Sequence, residues 1–164
     1  MTDFFKRTLA EWKALDPKHL INTGGFSYLN DSHSGIDWRT IMSDPNDDVC
    51  AVEINSTADR DVTVPMVTQY CQSLGKPWFL AAWSSCLATP NQFSGDLDHW
   101  ATDADMAAHA GDMYDVQFNR PMTHPAPAYA AIGSDFWNLG SKTAAPTCDL
   151  SPAFPLTYFV IKKR

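Results

Sequence analysis

Short apolar runs alternating with helix-patterned stretches constrain this chain more than any other feature. Val49–Ile54 and Trp78–Trp83 have the length and apolar content of buried strands, and between them Val67, Tyr70, Cys71 and Leu74 recur at helical spacing. Pro65 suits the first turn of that helix and Gly75 its C-terminal cap. Strand, helix and strand in this order imply a right-handed crossover, hence parallel strands covered on both faces.

The pattern extends in both directions. A first helix is expected over Asp3–Leu15, with Phe5, Leu9 and Trp12 on one face and Lys6, Arg7, Glu11 and Lys13 mostly on the other; its expected role is packing. Asp16-Pro17 ends it, a short strand follows over His19–Asn22, and Gly24-Gly25 permits the exit loop. A short helix over Asp37–Met42 and the turn Asp44-Pro45-Asn46-Asp47 lead into Val49–Ile54. Beyond Trp83 come a long loop, a helix over Thr102–Phe118 interrupted near Gly111, a proline-rich connection and a last strand over Tyr129–Phe136. Leu156–Ile161 closes the chain as a helix or a strand. The expectation is an α/β fold of about four parallel β/α units in a single domain, residues 1–164.

At 45% hydrophobic and 12% aromatic, the chain has material for a sizeable core. A net charge of −7 excludes nucleic acid and anionic membrane surfaces as natural partners, because both demand clustered Lys and Arg. Neutral ligands fit better. No apolar run approaches a membrane span, and Asp3, Lys6 and Arg7 occupy the stretch where a signal peptide needs an apolar segment, so no export is expected of the chain as written. Cys50, Cys71, Cys86 and Cys148 lack the CxxC spacing of zinc or redox motifs. They are read as buried free thiols, the alternative being a Cys86–Cys148 disulfide near one end of the fold. The five histidines, His19, His33, His99, His109 and His124, are scattered, and no metal site is expected.

Four segments, in order and at matching spacing, resemble one family. Asp16-Pro17-Lys18-His19-Leu20-Ile21-Asn22-Thr23-Gly24 is similar to the "DPNHLVTTG" that enters and leaves the fifth strand of family 5 glycoside hydrolases of the β-mannanase and cellulase type. Gly35-Ile36-Asp37-Trp38 resembles that family's "GTDF", with Val49–Asn55 on its sixth strand. Gly75-Lys76-Pro77-Trp78-Phe79-Leu80 resembles the "GKPVVL" of the seventh strand, and Gly133-Ser134-Asp135-Phe136-Trp137 the end of the eighth. The resemblance implies a partial (β/α)8 TIM barrel, strands five to eight, whose parents hydrolyse β-1,4-linked mannan or cellulose without a cofactor. It also implies oligosaccharide or polysaccharide as partner, usual secretion of the parent enzymes, and self-association through the open barrel edges.

Retaining hydrolysis needs two carboxylates at the carboxyl ends of barrel strands. The strand bearing the family's acid/base glutamate is absent from this chain, and Ala82 stands where the nucleophile belongs. Glu53 and Asn55 replace the family's "HxY" on the sixth strand. Strand alternation places Val49, Ala51, Glu53 and Asn55 on one face, so Glu53 is the candidate substitute carboxylate. Its structural alternative is a glutamate satisfied by main chain or by Arg60. Trp137 matches the family's sugar floor, with Trp83 and Asn55 as further candidate substrate-binding residues; packing is the competing role of both tryptophans. Trp38 and Trp100 are expected to pack. The chain alone is expected to be inactive, the alternative being a non-catalytic carbohydrate-binding protein using Trp83 and Trp137. Two further readings are activity completed by a separately supplied barrel half, and an unrelated open α/β fold in which Thr23-Gly24-Gly25 binds phosphate. The last lacks any accompanying Walker lysine or GxGxxG.

Overall fold

The computed structural model describes residues 1–27, 29, 35–54, 56–83, 86–87, 99–100, 102–117, 131–136 and 155–163, with the side chains of 58, 59, 86, 87, 99, 100, 136, 159 and 161–163 excepted. β1 (Cys50–Ile54) and β2 (Trp78–Trp83) pair in parallel, and β5 (Ser134–Phe136) pairs in parallel with the other edge of β2. The order β1-β2-β5 follows from apolar segments joined by helices, since a helix must carry the chain back before the next parallel strand can begin. Cys50, Val52 and Ile54 on one face of β1 and Ala51 on the other are all buried, as a doubly covered parallel strand requires.

α3 (Thr57–Leu74) connects β1 to β2 and buries Val64, Val67 and Cys71. It begins earlier than proline chemistry suggests, so Pro65 lies in its interior. Pro65 and Asp61 are both exposed, so the carbonyl that loses its helical partner faces solvent and the penalty is modest. At the other end Gly75 takes φ +69°, its N–H donates to the Gln72 carbonyl (3.1 Å), and Lys76 N–H donates to the Cys71 carbonyl (3.0 Å). That double closure is a Schellman cap, and it needs the left-handed conformation glycine adopts without strain.

α1 (Thr2–Leu15) buries Leu9 and sets Phe5 edge-on against Phe26, ring centroids 5.5 Å apart. α2 (Trp38–Met42) is capped by Asp37, whose carboxylate accepts from Thr40 N–H and is held below the ordinary carboxylate range by hydrogen bonding to the Thr40 side chain and then to its N–H. Trp38 is buried, donates to the Leu29 carbonyl and lies edge-on to Tyr70, the packing role expected of it.

The expected first strand, His19–Asn22, does not form. The Asp48 carboxylate accepts from Ile21 N–H (2.8 Å), Ile21 carbonyl accepts from Asp48 N–H (2.8 Å), and only Phe26 bridges to β1, through Val52. Gly24, at φ +85° and bonded to the Asn22 side chain, turns the chain between these anchors and breaks the ladder. Among the described residues the main sheet therefore has three strands.

α4 (Asp103–Gln117) runs unbroken through Gly111, because burial of Met106, Ala110 and Met113 outweighs the roughly 1 kcal/mol that glycine costs mid-helix. The last strand is shorter than expected. Ala131 N–H is held by the Gln117 carbonyl and Ile132 N–H by the Trp78 carbonyl before strand pairing begins, and residues 129 and 130 lie outside the described set. α5 (Pro155–Lys163) resolves the closing segment as a helix; the Asp103 carboxylate of α4 accepts from Leu156 N–H (2.9 Å) and Thr157 N–H (3.0 Å). A carboxylate from one helix thus caps the next. Within the expected loop, β3 (Cys86–Leu87) and β4 (His99–Trp100) form a two-stranded parallel pair.

Cys50 and Cys71 are free and buried; hydrogen bonding to Cys50, reinforced by burial, pushes the Cys71 thiol far up and leaves it unreactive. The Cys86–Cys148 pairing lies outside the described residues. Among the described residues no helix is long and apolar enough to cross a membrane.

Candidate functional site at the strand ends

Parallel strands end on one side of the sheet, so the last residues of β1 and β2 form one surface. Their register runs Val52↔Leu80 and then Glu53↔Ala82, a bulge that passes over Ala81 and brings Glu53 beside Ala82. Bulges of this kind re-aim side chains. Glu53 is half-buried, its N–H donates to the Phe26 carbonyl (3.0 Å), and its carboxylate accepts from the Ser27 hydroxyl (2.7 Å).

Arg60 does not serve Glu53. Its buried guanidinium donates to the Asp61 carboxylate from Nε (2.8 Å) and from a terminal nitrogen (2.7 Å). Among the described residues Glu53 is therefore held by a neutral hydroxyl and by main chain.

Gly25 lets this arrangement close. A Cβ there would lie 2.5 Å from Glu53 Cγ, 3.0 Å from Ala81 Cβ and 3.1 Å from the Val52 main-chain carbon. Gly25→Ala is expected to destabilise the fold by about 1–3 kcal/mol, because the obstructing atoms include backbone that cannot swing away. Urea denaturation measures the loss. A midpoint equal to that of the unmodified chain would show that the exit loop is not packed on Glu53.

Trp83, at the end of β2, is 2% exposed. Its indole N–H donates to the Ser134 hydroxyl (2.8 Å), and its ring meets Tyr114 and His109 edge-on at centroid distances of 5.2 and 6.4 Å. In this placement it ties β2, β5 and α4 together. Trp137 and Asn55 lie outside the described residues, and Asp135 is exposed. His19 pairs with Asp16 at 2.6 Å on the surface, which holds the Asp16 carboxyl low.

Ser27 was not singled out from the sequence. The signal available was its place two residues beyond Gly25, where a loop leaving one strand end returns over the next. Among the described residues no cluster of three or more His, Cys, Asp or Glu side chains could hold a metal ion.

A three-stranded parallel sheet with helical connections is consistent with a partial TIM-barrel-like unit. Among the solved structures similar to it are mannanases. The endo-β-1,4-mannanase from Thermotoga petrophila superposes with a TM-score of 0.60 at 16% identity, over 98% of this chain and 39% of that one. The endo-1,4-β-mannanase from Rhizomucor miehei gives 0.58 at 16%, over 98% and 46%. The hyperthermostable endo-1,4-β-D-mannanase from Thermotoga petrophila RKU-1, solved with maltose and glycerol, gives 0.52 at 17%, over 98% and 51%. The chain thus spans about half the length of these neighbours or less, and at such identities the likeness is one of fold. No protein-family model matches the chain, and no curated protein matches it in sequence.

Proposed function

We propose that the chain is a glycoside hydrolase-like barrel fragment, related to enzymes acting on β-1,4-linked polysaccharide, that does not by itself carry out retaining hydrolysis. The register Glu53↔Ala82 carries this reading. Two carboxylates must flank the scissile bond, one as nucleophile and one as acid/base. Here one strand end offers a carboxylate and its neighbour a methyl group, which can neither attack an anomeric carbon nor stabilise developing positive charge.

What remains can bind. Among the described residues the Glu53 carboxylate accepts one side-chain hydrogen bond, from the Ser27 hydroxyl, and sugar hydroxyls are donors to such carboxylates. The fold shared with mannanases supports a manno- or cello-oligosaccharide as the ligand class.

The expected result is no release of reducing sugar from mannan or cellulose, together with weak oligosaccharide binding that Glu53→Gln reduces about tenfold, the effect of losing one charged hydrogen bond. Calorimetric titration and a reducing-sugar assay test the two halves. Turnover by the chain alone, abolished in Glu53→Gln, would overturn the inactive reading; binding identical in the two proteins would remove Glu53 from the site.

A further inference from the structure

The hydroxyl of Ser27 donates its one proton to Glu53 Oε2 at 2.7 Å. A serine oxygen has one proton to give and lone pairs to accept with, so towards a ligand Ser27 is left as an acceptor. An ionised carboxylate is an acceptor only. The two side chains, both half-buried and so partly in reach of solvent, thus present a pair of oxygen acceptors 2.7 Å apart.

The pair is fixed from the main chain. Phe26 N–H donates to the Ala51 carbonyl (3.4 Å) and Glu53 N–H to the Phe26 carbonyl (3.0 Å), which stitches the residue before Ser27 to β1 on either side of Val52. Gly25 lies so close that a Cβ there would meet Glu53 Cγ at 2.5 Å. At the start of the same segment the Asp48 carboxylate, held by the Lys13 ammonium (2.7 Å), accepts from Ile21 N–H (2.8 Å). Groups ordered before a ligand arrives lose little freedom on binding, and they reject ligands that lack a matching donor.

Two acceptors at hydrogen-bonding distance call for two donors at a similar spacing. Neighbouring gauche hydroxyls of a pyranose supply them. In a β-1,4-linked chain O1 and O4 lie in the linkages and O6 has no free hydroxyl on the adjacent carbon, so the O2–O3 edge is the vicinal diol that an internal ring offers. We infer that Ser27 and Glu53 form a paired-acceptor subsite for the O2–O3 edge of a β-1,4-linked pyranose, with Ser27 as its specificity-determining residue. The inference rests on the saccharide-binding reading above and adds to it which edge of the sugar is held and by which second residue.

Calorimetric titration of the full chain with β-1,4-mannotriose, and with β-1,4-linked trisaccharides lacking the 2-hydroxyl or the 3-hydroxyl on every ring, tests it. Each deoxy ligand is expected to bind the unmodified chain about tenfold more weakly than mannotriose. Ser27→Ala should bind mannotriose about tenfold more weakly and lose at least one of the two deoxy penalties, while Ser27→Thr, which keeps the hydroxyl, stays within about threefold of the unmodified chain. A merely structural role for Ser27 would leave both penalties in place. Urea midpoints show whether Ser27→Ala folds; if it does not, Ser27→Thr and the deoxy ligands on the unmodified chain carry the test. Deoxy ligands bound as tightly as mannotriose, or penalties unchanged in Ser27→Ala, would overturn the inference and leave saccharide binding standing. No binding of any of these saccharides at millimolar concentration would overturn both.

Discussion

Raising the pH from 4 to 8 is expected to destabilise this protein by about 4 kcal/mol, and Asp47→Asn should abolish most of that dependence. Asp47 sits in the turn between α2 and β1, 1% exposed, and its Oδ1 has no hydrogen-bond partner among the described residues. Burial pushes its carboxyl up from 3.8 to about 7; Lys76 opposes the shift, while Asp48 and Asp44 add to it. Lys76 is largely committed elsewhere, since its ammonium donates to the Met42 and Asp44 carbonyls, both at 2.6 Å.

The sign follows from proton counting. Between pH 4 and 7 the folded protein holds a proton on Asp47 that the unfolded chain has released, so stability is full below about 4 and falls until the folded group ionises near 7. Below pH 4 other carboxylates act in the opposite sense. At Asp48 burial raises the pKa, but the bonds from Lys13 and Ile21 N–H outweigh it and leave the group lowered, so protonation there removes stability. Maximum stability is therefore expected just above pH 4. Denaturant titrations at several pH values check this, and equal slopes for the unmodified chain and Asp47→Asn would refute it. A change of this size is a large share of the 5–15 kcal/mol that ordinarily separates folded from unfolded protein.

Trp83→Ala should cost about 3–5 kcal/mol, as expected for emptying a buried indole site. The loss has several parts: contacts with Tyr114 and His109, the hydrogen bond to Ser134, and the joint among β2, β5 and α4. Trp83→Phe keeps much of the apolar volume and should cost less, because half-exposed Ser134 can exchange its lost partner for water. The pair of variants also separates packing from sugar stacking. A packing residue gives a fall in denaturation midpoint graded with lost volume; a platform would give a Trp83→Phe protein of unchanged stability and weakened oligosaccharide binding.

Much of the architecture was legible in local pattern. α1, α2, β1 and β2 lie within a residue or so of their expected bounds, because apolar period and caps at Asp37 and Gly75 act over a few neighbouring residues. Where sequence reasoning failed, a distant partner decided the outcome. His19–Asn22 has the composition of a strand, yet Asp48 captures the Ile21 main chain and Gly24 turns the segment away. Pro65 looks like a first-turn residue, but Arg60, Thr63 and Val64 before it are buried and belong to the same helix.

The site divides the same way. The chain's residue order alone determined that a carboxylate stands next to the last residue of one strand and an alanine next to the last of the other, because those identities and the run of apolar residues before them require no partner to be read. Only the tertiary structure decided that the bulge sets Glu53 against Ala82, that Gly25 yields the space, that Ser27 and not Arg60 holds the carboxylate, and that Trp83 turns into the core. Register and burial are set by contacts between segments far apart in the chain, and such contacts leave no periodic trace in either segment.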